Sequence, residues 1–121
     1  MGQKYVFGDK IQELIDLLEE MTGQLMRNDV DGFDANIPEL SSLLEICIPQ
    51  IIITYSDPSL TELASDATYW SEQLGRIIEA LNQKDKFVRM DALYQETRTN
   101  LLGFNKMIKG TYLADVLVEG A

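Results

Sequence analysis

Twenty carboxylates, five phenols and one thiol are the groups with which this chain could act on a substrate. There is no histidine. Its absence removes the commonest general base and the commonest transition-metal ligand. No Ser-His, Cys-His or His-metal centre can therefore be assembled within the chain. The single cysteine, Cys47, excludes an intrachain disulfide framework and a cysteine-rich zinc site. It falls on an apolar stripe with Leu44 and Ile51, which predicts a buried structural thiol. A reactive thiol needs exposure and surroundings that lower its pKa.

The carboxylates fare no better as a catalytic set. Asp29, Asp31, Gly32, Asp34 and Asn36 suggest a calcium loop. Placing Gly32 at the invariant sixth position puts Arg27 first and Pro38 twelfth, and neither is a ligand. Helix capping is the better use of these acids. A di-metal bundle needs inward glutamates and Glu-x-x-His motifs, and Asp91 and Glu96 do not supply that set. Nothing singles out a hydrolase-type carboxylate pair. Gly32 and Gly75 are isolated and form no phosphate-binding loop. Tyr94 lies on an apolar stripe, with its hydroxyl expected at a polar boundary or bonded to Thr97. The chain reads as non-enzymatic, with no cofactor and no metal.

The elements that would position any site are amphipathic helices. In residues 60–81 the apolar positions Leu60, Leu63, Ala67, Trp70, Leu74, Ile77 and Leu81 alternate at spacings of three and four. Ala64 and Ile78 widen that stripe around the only tryptophan. A first helix is predicted from an Asp9 cap, with Gln12 three residues on, to about Arg27. Its stripe is Ile11, Leu14, Leu18, Met21 and Leu25, broadened by Ile15 and Leu17. After a turn at 28–32 capped by Asp29 or Asp31, a second helix spans 31–55. It is kinked or broken at Pro38 or Pro49, each of which removes a helical hydrogen bond. Asp57-Pro58, Ser59 or Thr61 caps the third helix. Asp85 caps a fourth, whose stripe is Phe87, Met90, Tyr94, Thr97, Leu101, Phe104 and Ile108. Its bases Lys84, Lys86, Arg89 and Arg98 are expected on a polar flank, linked to acids of the first half. Gly110 ends it.

These features predict an all-α fold, one domain over 1–121. The arrangement is an antiparallel up-down-up-down four-helix bundle with short connections. Residues 1–8 are a lead-in. The apolar tail, 111–121, forms a short fifth helix against the bundle, docks on another copy, or continues into a longer protein. Its Tyr112 and Val116 would share a helical face.

The formal charge is -10. Residues 1–60 carry 11 acids and 3 bases, whereas 61–121 carry 9 and 7. Such a field disfavours nucleic acid and anionic membranes as partners, and it suits solubility or a basic partner. No run of 18 uncharged apolar residues predicts a membrane span, and no secretory signal is evident at 1–8. The expected location is the cytoplasm.

The second helix is apolar on more than one side, with Leu43, Leu44, Ile46, Cys47, Ile48, Ile51, Ile52 and Ile53 close together. One core face does not easily absorb them all. The expectation is a protein–protein interaction module, an adaptor or chaperone-like accessory protein, binding a protein partner or itself. Its candidate partner-binding residues are Ile46, Ile48, Ile52, Ile53, Tyr112 and Val116. In size, acidity and helix count it is comparable to the small helical flagellar and secretion chaperones, an analogy that carries over no residues. The alternative is a bundle that binds a small apolar ligand or lipid in a cavity lined by Phe33, Trp70, Tyr94 and Phe104.

Overall fold

The computed structural model describes residues 3–55 and 67–120. Of these, 84% are helical. β1 (Gln3–Val6) leads into α1 (Phe7–Met26), α2 (Val30–Tyr55) and α3 (Ala67–Gln83). The fourth helix, α4, is continuous in three stretches: α-helical Lys86–Met90, π-helical Asp91–Arg98 and α-helical Thr99–Ile108. A 3₁₀ turn (Tyr112–Asp115) and β2 (Leu117–Gly120) follow. The class is all-α with one small sheet. The predicted residues Leu60, Leu63 and Ala64, and the caps at 57–61, lie outside the described residues.

The stripe of α1 is buried as its spacing requires, from Ile11 through Leu25. Helix α1 packs on α2 and on α4, and α2 packs on α3. Phe104 centres the aromatic core, with ring centroids 5.8 Å from Phe7, 5.5 Å from Tyr55 and 6.5 Å from Trp70. Edge-on pairs of this kind add about 0.5–1.5 kcal/mol each beyond burial. Asp29 and Asp85 act as the predicted caps. Asp29 Oδ1 accepts from the Gly32 amide at 3.0 Å, and Asp85 Oδ1 accepts from Phe87 and Val88. A Cβ at residue 32 would press on the Asp29 carboxyl, which would have to shift within the cap. Gly110, at φ +80°, adopts the left-handed conformation that follows a helix end.

Helix α2 is one unbroken helix, contrary to a break at proline. Pro38 and Pro49 are both exposed. Eleven residues are close to three full turns, so the two prolines share one face. The carbonyls they free look outward, where the penalty of an unmade bond is least. By length and composition α2 is also long and apolar enough to cross a membrane, its most apolar 18 residues having a mean hydropathy of 1.4. A search for an unbroken uncharged run passes over it because Glu39 and Glu45 interrupt the sequence. In this structure its Phe33, Leu40, Leu44, Cys47 and Ile51 are core residues.

The predicted stripe of α4 is out of phase in its first half. Phe87 is 74% exposed and Met90 and Tyr94 half-buried, while Arg89, off the stripe, is buried; Leu93 and Thr97 are buried as their face requires. The buried positions Arg89, Leu93, Thr97 and Leu101 recur every four residues. In an α-helix each four-residue step drifts by about 40°, so three steps would carry the stripe about 120° round. The wider winding of the π stretch takes up that drift. Arg89, expected on the polar flank, is instead 4% exposed. It donates to the Leu81 carbonyl at 2.8 Å, stacks 4.6 Å over Phe33 and lies 3.7 Å from Asp34. It thus ties the end of α3 to the start of α2. The expected link to the acidic half also appears as Arg98–Glu19 at 3.0 Å.

The termini correct the tail and lead-in readings. Among the described residues the tail forms a single 3₁₀ turn and a strand rather than a fifth α-helix. Instead β2 pairs antiparallel with β1, Gln3 opposite Gly120 and Val6 opposite Leu117. Helix α1 starts at Phe7, ahead of Asp9, and no side chain caps it. The Phe7 amide donates to the Val116 carbonyl at 2.8 Å, so the returning tail supplies the acceptor.

Candidate functional site

An apolar groove of about 690 Å³ runs between α2 and α3. On the α2 side it is lined by Ser41, Leu44, Glu45, Ile48, Pro49, Ile52 and Ile53, and on the α3 side by Ser71, Leu74, Ile77, Ile78 and Leu81. Its floor is core: Ile48 is 2% exposed and Ile77 is buried outright. Its walls are wet, with Ile53 60% exposed and Ile78 52%.

The groove arises from how α3 is rotated. The inward face of α3 is Trp70, Gln73, Ile77 and Ala80, all buried. This moves Leu74 and Leu81 to the margin, half-buried, and leaves Ile78 outside. Polar Gln73 takes a core position because α4 offers it partners. Its Nε2 donates to Thr97 Oγ1 at 2.8 Å, and Thr97 Oγ1 donates to the Ala92 carbonyl at 2.7 Å. The hydroxyl of Thr97 thus serves the π stretch rather than Tyr94, whose ring lies 4.4 Å beneath the Arg98 guanidinium.

The predicted site residues separate into three places. Ile48, Ile52 and Ile53 meet in the groove. Ile46 lines a small recess with Ser42, Glu45 and Glu119, on the side of α2 that meets β2. Tyr112 is 65% exposed on the 3₁₀ turn, and Val116 packs on the core. Neither tail residue lines the groove. The rest of the described lining lies outside the six predicted site residues. The adjacent pair Ile77-Ile78 was the available signal, because one helix face cannot bury both equally.

Phe33, Trp70 and Phe104 are at most 2% exposed, and Trp70 also borders a small recess with Tyr55, Tyr69 and Asn100. Cys47 is fully buried. Burial pushes its thiol up to about 12, with Lys10 pulling it down and Glu13 pushing it further up. A thiol so protonated is a packing group. The Tyr69 hydroxyl, which accepts from Asn100 Nδ2, is also shifted upward, first by desolvation and then by Glu96. Glu45 is the one charged residue among the described residues lining the groove. Apart from Ser41, Glu45 and Ser71 the described lining is apolar, an arrangement suited to holding an apolar group. In comparisons with known proteins, no family model, no curated relative and no solved structure matches this chain.

Proposed function

We propose that this chain is a non-enzymatic protein–protein interaction module, an adaptor or chaperone-like accessory protein of the cytoplasm. It holds an apolar segment of another protein in the α2–α3 groove. The observation that carries this reading is the pair of exposed isoleucines, Ile53 and Ile78, on the walls of an aliphatic groove in a chain of charge -10. Apolar side chains gathered this way in an otherwise charged surface mark a binding face. The short α1–α2 and α3–α4 connections favour an antiparallel up-down-up-down bundle as its frame.

The test combines a hydrophobic dye, sedimentation velocity and a pull-down, using wild type and an Ile53→Asp/Ile78→Asp variant. Both sites are exposed, so helicity should be unchanged by circular dichroism. The dye should bind wild type and not the variant, and a partner retained by wild type should be lost. A monomer that binds no dye would refute the proposal. A second reading, capture of a small apolar ligand or lipid, is favoured by the groove volume, which lies within the usual range of small-molecule sites. Displacement of the dye by one equivalent of fatty acid, but by no peptide, would select it.

A further inference from the structure

Resting on that reading, we infer that the occupant is an amphipathic helix of about three turns with a basic flank, contributed by a different protein. Four observations converge on it.

The first is length. The α2 wall spans residues 41–53, about 18 Å at 1.5 Å per residue, the length of a helix of about three turns.

The second is backbone chemistry. Both walls are helices, so the groove presents no sheet edge. An extended segment would lay part of its backbone against the side chains of Ile48, Leu74 and Ile78, none of which can pair an amide. A helix arrives with its own hydrogen bonds made.

The third is side-chain type. The described lining contains no aromatic ring. Aliphatic anchors at i, i+3, i+4 and i+7 fit such a wall.

The fourth is charge. Glu45 is the one charged residue in the described lining, so a lysine or arginine on an incoming helix meets a carboxylate there. Two copies of a chain charged -10 repel each other, which disfavours a second copy as occupant.

The experiment is fluorescence anisotropy on the full chain with three fluorescein-labelled 13-residue peptides. One carries leucines at i, i+3, i+4 and i+7 with lysine flanks. The second has glutamates in place of the lysines. The third is the lysine peptide with two internal prolines. The lysine helix should bind, with the glutamate version at least tenfold weaker and the proline version undetectable. Ile53→Asp or Ile78→Asp should abolish binding although each makes the chain more acidic, so charge alone does not explain the signal. Ile53→Ser serves if either variant loses helicity. Glu45→Lys should narrow the lysine preference at least threefold. A proline peptide binding within threefold of the lysine helix overturns the helical occupant. Equal binding of the glutamate helix overturns the basic flank. If no peptide binds while a hydrophobic dye still does, the protein-partner reading itself fails.

Discussion

The buried amide–hydroxyl contact between α3 and α4 allows a quantitative prediction. Thr97 and Gln73 are both fully buried. The Thr97 hydroxyl accepts from Gln73 Nε2 at 2.8 Å and donates to the Ala92 carbonyl at 2.7 Å. Thr97→Val keeps the shape and deletes both bonds. It leaves Gln73 Nε2 with only a 3.4 Å approach to Ala92 O. Each buried group stripped of its partner costs about 1–3 kcal/mol, so Thr97→Val should destabilise by about 2–4 kcal/mol. Gln73→Leu acts differently. It removes Nε2, but also Oε1, which is buried without a hydrogen-bond partner among the described residues. Thr97 keeps its bond to Ala92, so this change should cost about 0–1 kcal/mol. In the double variant little is left unsatisfied, and it should be more stable than Thr97→Val alone, with about 1–3 kcal/mol of coupling. Urea unfolding followed by Trp70 fluorescence measures all four corners of the cycle. Additive costs, or a Thr97→Val cost below about 0.5 kcal/mol, would show that this contact does not hold the π stretch to α3.

Two further predictions address the phase of α4 and the thiol. Phe87→Ala should stay within about 0.5 kcal/mol of wild type, whereas Leu93→Ala should cost about 2–5 kcal/mol in the same unfolding assay. The reverse order would restore the regular three-four stripe. Cys47 is held up to about 12 by burial, against 9.0 when unfolded. The unfolded chain therefore releases this proton first, and stability is full below about pH 9 and falls as pH rises from there towards 12. Relative to Cys47→Ala, wild type should lose about 1.4 kcal/mol for each pH unit above 9. A disulfide reagent should leave the native thiol unmodified at neutral pH. A pH-independent difference between the two proteins would contradict the burial argument.

What the sequence made legible, and what it hid, follows from how local each signal is. Ile11, Leu14, Leu18, Met21 and Leu25 repeat regularly, and α1 buries all of them. The Asp29 and Asp85 caps depend only on the next three residues, and they form as read. The π stretch was hidden because a three-four template meets the four-residue repeat 89, 93, 97 and 101 only at Thr97 and Leu101. That template drew Phe87 and Tyr94 into the stripe and left Arg89 outside. The β1–β2 ribbon was hidden because each strand is four residues long and its partner lies at the opposite end of the chain. Half of the groove was visible in the crowding of Ile48, Ile52 and Ile53 on α2. Its other wall was signalled only by the adjacent pair Ile77-Ile78, because the rotation that exposes Ile78 depends on Gln73 finding Thr97 across the interface.

The account stands or falls on where a bound helix touches the chain. Isoleucine δ1-methyl NMR during titration with the lysine-flanked peptide reads this directly. The account predicts saturable shifts at Ile52, Ile53, Ile77 and Ile78, with Ile11, Ile15 and Ile108 unmoved. Shifts confined to Ile46, shifts spread evenly over the core methyls, or none at all would contradict it.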